Sequence, residues 1–448
     1  MTKALIVGNG GRESSIAWKL SGESQLYAVM GIENPTILRY VRESGGKYCI
    51  GDTNSKEFVT EFAKSQKIDF AFITSDASLE AGIVDALRAA GIATVGPTRA
   101  GAEIEWNKAF AMDLVHEILP EYTPRYWIVN DKKSLDNLFG TLEKENTSIV
   151  VKPQGLTGGK GVKVMGEHLN GFSQAKEYAR VLLQSRDHES VVIEEKLSGP
   201  EFTLQVLTDG EHFTKPPATY DHPYRYEFDK GPGTGGMGSF TDAKLPLPFM
   251  TMDDYEECIE IARRTLPELK KRNLHYSGVL NIGCFLTPQG IRIMEFNARP
   301  GDPEFMNIMM VLDSSLLGIL QKITIGTLSE NDVVFTPAAS VVKYLVSPEY
   351  AVQEGKVHDF SLDVEAIEKI GVKVFFSSAV HIDGNKYQTV GNSRAVALAA
   401  TAQTIPAAAK KVDDAIKNYV DGVLEYRADI GRQDEIETLI AISPHSDA

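Results

Sequence analysis

Glu295 and Asn297 are the side chains of this sequence best placed to bind a metal ion. They lie in the segment 290–297, GIRIMEFN, where apolar and polar residues alternate after a glycine, a pattern typical of a strand that leaves a turn. Because successive strand residues point to opposite faces, the two side chains share one face. A carboxylate and a carboxamide so placed suit Mg²⁺, which prefers oxygen ligands and often shares them with phosphates. Taken alone, the pattern also fits solvated charges at a strand end.

Arg299 continues this alternation where Pro300 and Gly301 end the predicted strand. An arginine fork at such a position can bind a carboxylate through two parallel hydrogen bonds. The sequence therefore predicts a carboxylate-binding residue beside the metal-binding face.

A glycine-rich segment, 148–164, supplies a candidate phosphate-binding loop. The apolar run Ile149–Val151 leads through Lys152 into a loop with four glycines and Lys160, which predicts two strands joined by a hairpin loop. Backbone amides and lysines of such a loop can bind phosphates. It is not a Walker A loop, because Lys160 is followed by Gly161 rather than by serine or threonine.

Residues 1–97 alternate predicted strands and helices, with helices expected over Glu13–Leu20, Lys56–Gln66 and Ala77–Ala90. This pattern predicts an open parallel sheet with ligands at the strand ends. A turn with glycines at 8, 10 and 11 opens the first helix, where backbone amides favour an anion. Alone, that turn is compatible with a dinucleotide, a sugar phosphate or no ligand.

Composition narrows the class of protein. The chain has 448 residues and a formal net charge of −15, which predicts several domains and opposes binding to nucleic acid or an acidic membrane. No signal peptide and no eighteen-residue apolar run is evident. The three cysteines are scattered, so we expect buried thiols in a reducing cytoplasm.

Four motifs, in their order, make the chain resemble the phosphoribosylamine–glycine ligase family of ATP-grasp enzymes over essentially its whole length. They are VGNGGRE at 7–13, DKGPGTGGMG at 229–238, EFNARPGDPE at 295–304 and EYRADIG at 425–431. The resemblance implies an ATP-dependent ligase of purine biosynthesis. Such an enzyme joins glycine to 5-phosphoribosylamine through glycyl phosphate and gives glycinamide ribonucleotide, ADP and phosphate.

The resemblance also implies the ligands of ATP and of the metal, Mg²⁺ or Mn²⁺, the latter held by Glu295 and Asn297. Lysines would face the phosphates, the glycine-rich loop would close over them, and the remaining acidic and basic residues would lie at the adenine and ribose. The implied ATP-binding residues are Lys108, Lys152, Gly158, Gly159, Lys160, Gly161, Glu194, Lys196 and Glu201.

A second group is implied for the other two substrates. Its members are Gly10, Gly11, Arg12, Glu13, Asp76, Asp221 and Arg299. Within it, Arg299 would clamp the glycine carboxylate and Asp221 would meet the glycine ammonium, and with Lys152 these are the implied catalytic residues. The phosphate of the acceptor would lie on the amides of Gly10 and Gly11.

The implied fold is α/β with four parts. An N-terminal doubly wound parallel-sheet domain, 1–122, precedes an ATP-grasp lid, 123–190, and an ATP-grasp core, 191–330. A C-terminal mixed α/β domain takes 331–448. The expected partners are small-molecule substrates only, with no nucleic acid and no membrane, and the expected state is a monomer or a weak homodimer.

The chain departs from the family in the region of the amine acceptor. Ser14–Ser15 replace a usual His-Ala pair, TSDASL at 74–79 carries Asp76 in place of a glutamate, and GIENP at 31–35 replaces a Pro-Gly-Asn turn. A related ligase that activates glycine or another small amino acid for a different amine is therefore an alternative. A non-catalytic nucleotide-binding protein does not need the metal face, and a dinucleotide oxidoreductase leaves the EFN and GGMG motifs unexplained.

Overall fold

The computed structural model describes residues 1–155, 161–185 and 190–446. Its first sheet consists of parallel strands β1 (Lys3–Val7), β2 (Gln25–Met30), β3 (Tyr48–Ile50), β4 (Phe70–Ile73) and β5 (Ala93–Val95) in the order β3-β2-β1-β4-β5. The helices between them are α1 (Gly11–Leu20), α2 (Pro35–Glu43), α3 (Lys56–Gln66), α4 (Asp76–Glu80) and α5 (Ile83–Ala89). The predicted doubly wound sheet is confirmed. The order reverses between β1 and β4, so the segments that follow them border the crevice where such sheets bind ligands.

One predicted helix of this region is wrong. The segment Ala77–Ala90 is not a single helix, because Gly82 has φ of +78° and separates α4 from α5. A left-handed residue ends a helix, and glycine adopts that conformation without steric cost. The break shortens α4 and leaves Asp76 at its first position.

Two helices lead out of the first sheet to a smaller second sheet. They are α6 (Glu103–Trp106) and α7 (Lys108–Ile118). The second sheet has antiparallel strands β6 (Tyr126–Val129), β7 (Ile149–Pro153), β8 (Lys163–Val164) and β9 (Val191–Glu195) in the order β6-β9-β7-β8, with α8 (Lys132–Glu145) and α9 (Phe172–Gln184). It has an apolar core of its own, which includes Phe139, Ile149 and Ala175. Pairing of Val150 with Val164 confirms the hairpin predicted around the glycine-rich loop.

The middle of the chain forms β10 (Glu201–Thr208), β11 (Tyr220–Asp221), β12 (Tyr224–Tyr226), β13 (Lys230–Gly233), β14 (Gly238–Thr241), α10 (Met252–Lys271), β15 (Gly278–Thr287), β16 (Gly290–Asn297), α11 (Glu304–Val311) and α12 (Leu316–Ile325). Strands β10, β15 and β16 make an antiparallel sheet in that order. Asn281 of β15 lies opposite both Gln205 and Asn297 in the register. Because directly paired residues of antiparallel strands share a face, the polar residues near the end of β16 face the same side as those of β15.

The C-terminal part contains β17 (Ala339–Val346), β18 (Asp359–Leu362), α13 (Val364–Lys369), β19 (Val372–Phe376), β20 (Ala379–Asp383), β21 (Lys386–Thr389), β22 (Arg394–Ala402), α14 (Ile405–Tyr419), β23 (Val420–Gly422) and α15 (Gln433–Ala441). One sheet has the order β11-β14-β17-β22-β19 and the other β20-β21-β18-β23. The first of these combines strands from residues 220–241 with strands beyond 338. The C-terminal part is therefore joined to the middle of the chain by backbone hydrogen bonds.

The largest apolar cluster reaches across these sheets, with Leu5, Ile282 and Val341 among its fully buried members. The first, middle and C-terminal parts thus all contribute to this cluster, whereas the lid has its own. The boundaries at 122, 190 and 330 stay predictions. Within the described ranges, no helix combines the length and apolar character needed to cross a membrane.

Candidate active site

A cavity of about 940 Å³ lies where the lid, the β10–β15–β16 sheet and the loops after β11 and β16 meet. It brings together most of the residues predicted to act on the substrates. Those that line it are Asp76, Lys108, Lys152, Glu194, Lys196, Glu201, Asp221, Glu295, Asn297 and Arg299. Gly158, Gly159 and Lys160, which were predicted to bind ATP, lie outside the described residues. Gly161 is described, and its carbonyl accepts a hydrogen bond from the Tyr178 hydroxyl at 2.7 Å.

The Asn297 Nδ2 donates to Glu295 Oε1 at 3.0 Å. This contact confirms the prediction that the two side chains share one face of β16. Opposite Asn297 on the neighbouring strand, Asn281 Oδ1 is buried and has no hydrogen-bond partner among the described residues. Three oxygen-bearing side chains therefore adjoin one part of the cavity wall. Such a set fits a hard cation that takes further ligands from phosphate and water. In the described ranges, no group of three or more His, Cys, Asp or Glu side chains forms a metal site by itself.

Lys152 and Glu194 form a buried ion pair beside this face. The Lys152 Nζ lies 2.8 Å from Glu194 Oε2 and donates to the Met294 carbonyl at 3.0 Å. The two side chains are 7% and 5% exposed. A buried charge is costly unless it is paired. The Glu194 carboxylate therefore neutralises the Lys152 ammonium and holds it in position at the cavity wall.

Lys108 approaches the same region from the start of α7. Its Nζ donates to the Gly155 carbonyl at 3.0 Å, at the entrance to the glycine-rich loop. Burial lowers the pKa of Lys108, and the positive charge of Lys152 adds to this, whereas the carboxylate of Glu295 opposes it. The neighbouring ammonium groups of Lys108 and Lys152 favour binding of a polyanion such as a triphosphate.

Arg299 is surrounded by acceptors. Its Nε lies 3.2 Å from Glu105 Oε1, and its Nη2 donates to Asn297 Oδ1 at 3.3 Å. Burial lowers the pKa of Arg299, but the negative charges of Glu105 and Asp76 outweigh it and raise the pKa overall. The guanidinium is therefore charged and held within reach of the metal face, as a carboxylate clamp requires.

Three acidic residues, Glu201, Asp221 and Glu304, line the same cavity as Arg299. The Asp221 Oδ1 is buried without a hydrogen-bond partner among the described residues. Burial raises the pKa of Asp221 well above its usual range, and the charges of Glu304 and Glu201 add to the effect. Burial, together with the charge of Glu295, raises the pKa of Glu201 to about 8. At neutral pH Glu201 is thus largely protonated and can both donate and accept a hydrogen bond, which suits a hydroxyl group.

Lys196 lies at the outer end of the cavity, just after β9. Its Nζ lies 2.6 Å from Glu167 Oε1, and the Tyr224 hydroxyl donates to Glu167 Oε2 at 2.6 Å. Glu167 thus connects the lid to the loop after β11. Lys196 lines the cavity and forms this ion pair in the structure, and its role in ATP binding stays a prediction.

The Gly10–Glu13 turn does not line the cavity. The Gly10 amide donates to Glu13 Oε2 at 2.8 Å, and the Thr74 hydroxyl donates to Glu13 Oε1 at 2.7 Å. An anion therefore already occupies part of the helix N-terminus. A substrate phosphate on the Gly10 amide has to displace Glu13, so the phosphate role of this turn stays a prediction.

The other two residues of that turn make close contacts. Arg12 Nη1 donates to the Pro300 carbonyl at 2.8 Å, which connects the turn to the strand end that carries Arg299. A Cβ on Gly11 would lie 2.2 Å from the Tyr344 hydroxyl, so only glycine fits there. The positive charge of Arg12 also helps to lower the pKa of Asp76, after Arg299 and against the effect of burial. The turn adjoins the cavity through Asp76.

The loop that carries Asp221, residues 221–235, is fastened to the segment 425–435. The connecting contacts are the ion pairs Arg225–Glu425 and Asp229–Arg427 and the hydrogen bond between His222 and Glu435. Phe228 and Asp229 both have positive φ, of 57° and 54°. This backbone conformation is strained for residues other than glycine. The Phe228 amide donates to Asp429 Oδ2 at 2.9 Å. The EYRADIG motif therefore holds the Asp221 loop in shape.

Sequence reasoning missed two charged residues of this site, Glu105 and Arg394. Arg394 lies at the start of β22; its Nη1 donates to the Asp302 carbonyl at 2.7 Å and to the Gly236 carbonyl at 3.1 Å, and its guanidinium stacks over the Tyr344 ring. It thereby joins the GGMG and GDPE motifs. No local pattern marks either residue, because the partners of each lie 50 or more positions away along the chain.

The chain is similar to known proteins over nearly its whole length. Residues 2–105 match the family model described as the phosphoribosylglycinamide synthetase N domain, and residues 106–305 match its ATP-grasp (A) domain. A phosphoribosylamine–glycine ligase of Methanothermobacter thermautotrophicus is 40% identical over 440 residues, which cover 98% of each chain. One of Pyrococcus furiosus is 38% identical over 443 residues, covering 99% of this chain and 97% of the relative.

Solved structures share the fold. A phosphoribosylamine–glycine ligase of Thermotoga maritima superposes with a TM-score of 0.78 at 22% identity and covers 96% of this chain and 100% of its own. The biotin carboxylase domain of a 2-oxoglutarate carboxylase from Hydrogenobacter thermophilus, in complex with MgADP, ADP and bicarbonate, has a TM-score of 0.70 at 14% identity. It covers 98% of this chain and 93% of its own.

Proposed function

This chain belongs to the phosphoribosylglycinamide synthetase family, and we infer that it joins glycine to 5-phosphoribosylamine with conversion of ATP to ADP and phosphate. The product is glycinamide ribonucleotide, an intermediate of purine biosynthesis. One observation carries the assignment of roles: a single cavity holds Lys108 and Lys152, an oxygen-bearing metal face, the Arg299 guanidinium and the Asp221 carboxyl group, whose Oδ1 has no hydrogen-bond partner among the described residues.

The nucleotide lies between the lid and the β10–β15–β16 sheet. Lys108 and Lys152 contact its phosphates, since both ammonium groups line the cavity and are held by acceptors at its wall. Glu295 and Asn297 hold Mg²⁺ or Mn²⁺, which, when bound, neutralises charge on the transferring phosphoryl group. Glu201 contacts the ribose hydroxyls with its protonated carboxyl group.

Glycine lies between Arg299 and Asp221. The Arg299 fork binds the carboxylate, and Asp221 accepts from the ammonium group, which supplies the positive charge that its buried oxygen lacks. These two contacts direct a carboxylate oxygen of glycine toward the terminal phosphorus of ATP. Such positioning is the main contribution of an enzyme to phosphoryl transfer.

The chemistry needs no nucleophilic side chain. A carboxylate oxygen of glycine attacks the γ-phosphorus, the bond to the ADP oxygen breaks, and glycyl phosphate forms. The amine of phosphoribosylamine then attacks the carbonyl carbon, phosphate leaves, and the amine loses a proton. Both steps develop negative charge on oxygens, which the lysines stabilise.

A different amine acceptor is the second candidate. The Ser14 hydroxyl, at a position where relatives of this family usually carry histidine, donates to the Phe376 carbonyl at 2.6 Å. This position therefore makes a contact between the first and C-terminal parts of the chain and is not available to a substrate. The altered acceptor region favours weaker binding of phosphoribosylamine or use of another amine.

The function is tested with purified protein, ATP, Mg²⁺, glycine and freshly made phosphoribosylamine. We expect glycinamide ribonucleotide, identified by mass, to form in step with ADP. If ADP forms with glycine while another amine is consumed instead, the second candidate replaces the first. If no amine supports ADP release, the ligase assignment itself is wrong.

Asp221→Asn is expected to weaken glycine binding and to stabilise the free protein. The raised pKa of Asp221 means that the folded state binds more protons than the unfolded state, so stability falls as pH rises above the unfolded value of about 4. The amide removes this penalty, and unfolding in urea at pH 8 should require about 1–3 kcal/mol more.

The same variant should raise the KM for glycine at least tenfold, because a neutral amide pairs poorly with ammonium. In the wild type, glycine affinity should increase with pH up to the raised pKa of Asp221, and this dependence should disappear in Asp221→Asn. Asp242→Asn, outside the cavity, is the matched control and should change neither property. A variant that binds glycine as wild type does would remove Asp221 from the ammonium site.

A further inference from the structure

Glu105 is a buried carboxylate to which the chemistry above gives no role. It lies on α6, between the first sheet and the lid, and its side chain is 7% exposed. Its Oε1 lies 3.2 Å from Arg299 Nε, and its Oε2 accepts from the Ala298 amide at 2.8 Å. One carboxylate therefore holds both the guanidinium of the clamp and the backbone directly before it.

The other contacts of the Arg299 guanidinium are weaker than its ion pair with Glu105, because their acceptors are uncharged. They go to the Asn297 carboxamide at 3.3 Å and to the Pro300 carbonyl at 3.2 Å, both uncharged and both two residues away or less. Glu105 is the charged group in direct contact, and it comes from a different part of the chain. Without it, a long arginine side chain can occupy several rotamers.

Three residues after Glu105, Lys108 contacts the lid. Its Nζ donates to the Gly155 carbonyl at the start of the glycine-rich loop. The short stretch from α6 to the start of α7 thus contacts the carboxylate clamp through one residue and the nucleotide lid through another. The clamp and the lid are therefore connected by a stretch of only four residues, 105–108.

We propose that Glu105 is a positioning residue that fixes the Arg299 guanidinium for the amino-acid carboxylate and couples this clamp to the nucleotide lid. The proposal rests on the function inferred above. It assigns Glu105 no contact with substrate.

Glu105→Gln separates positioning from simple charge neutralisation. If Glu105 only neutralised Arg299, its loss would leave more positive charge for the glycine carboxylate, and the KM for glycine would fall. If Glu105 positions the guanidinium, the glutamine turns an amide toward it, and the KM for glycine rises. We expect a rise of at least tenfold, with the KM for ATP within a factor of two. Glu105→Asp, which keeps the charge but not the reach, should lie between glutamine and wild type.

Coupling is measured by titration calorimetry of glycine with and without a non-hydrolysable ATP analogue. The wild type should bind glycine at least fivefold more tightly with the analogue, a typical allosteric effect, and Glu105→Gln should lose that ratio. Glu103→Gln, on the same helix and half-exposed, is the matched control. Thermal melting of each variant shows whether it is folded.

The outcomes are distinguishable. A wild-type protein without glycine-dependent ADP release overturns the inferred function and this proposal with it. An active wild type whose Glu105→Gln variant keeps or lowers the KM for glycine overturns the proposal alone. An unfolded glutamine variant leaves the decision to Glu105→Asp, whose KM for glycine must then exceed that of the wild type.

Discussion

Glu295→Ala is expected to lower kcat at least a thousandfold at millimolar Mg²⁺ while the fold survives. The variant removes the anionic member of the oxygen-bearing face, so the metal and the transferring phosphoryl group lose neutralisation worth roughly 4 kcal/mol or more. Its fold should persist, because Glu295 makes its contact with Asn297 at the cavity wall and not within the apolar core. The measurement is ADP formation with glycine and the amine at a series of Mg²⁺ concentrations.

Glu295→Gln sharpens this test. Glutamine keeps the size and one oxygen, and it can still accept from Asn297, so its loss of kcat measures the contribution of charge alone. We expect a loss close to that of Glu295→Ala, which would show that charge, and not shape, is the larger part. Glu57→Ala, an exposed acid on α3, is the control and should behave as wild type. A folded Glu295→Ala variant with near wild-type ADP formation would contradict the proposed metal face.

The parts of the site that depend on local pattern could be predicted from the sequence. Alternation along β16 placed Glu295 and Asn297 on one face, and the apolar runs around the glycine-rich loop gave the β7–β8 hairpin. Strand periodicity fixes side-chain direction without knowledge of the partner strand, so these predictions needed no tertiary information.

The start of α1 carries a local capping signal in its sequence. Glu13 stands three residues after Gly10, the spacing at which an acidic side chain returns to the backbone amide of the residue before the helix. The structure shows this contact at 2.8 Å. That spacing predicts a structural role for Glu13, whereas the family motif alone predicts a substrate contact.

The pairing of distant charges could not be predicted. Glu105 meets Arg299 across 194 positions, and the pairs Arg225–Glu425 and Asp229–Arg427 span about 200. Nothing in the spacing of single residues selects such partners, because they follow from the packing of separate sheets. The joining of β11 and β14 to the C-terminal sheet is of the same kind, since register between remote strands is set by tertiary structure.

Lys152→Ala is expected to affect both stability and activity, through different partners. Glu194 is left as a buried carboxylate without its cation, which should lower the free energy of unfolding by roughly 3–5 kcal/mol. The same change removes a cation from the phosphates of ATP, so kcat/KM for ATP should fall at least a hundredfold. Urea denaturation and ADP formation measure the two effects separately.

The double variant Lys152→Ala, Glu194→Gln distinguishes the two roles of the lysine. Removing both charges takes away the uncompensated carboxylate, so most of the lost stability should return, because residues in direct contact are not additive. Activity should stay as low as in Lys152→Ala, since the phosphates still lack their cation. If the double variant recovers activity together with stability, Lys152 acts on the fold alone. If Lys152→Ala is as stable as the wild type, water already reaches the Glu194 carboxylate. Because the ion pair is nearly fully buried and its Nζ also donates to the Met294 carbonyl beside the metal face, we expect stability to return and turnover to remain lost.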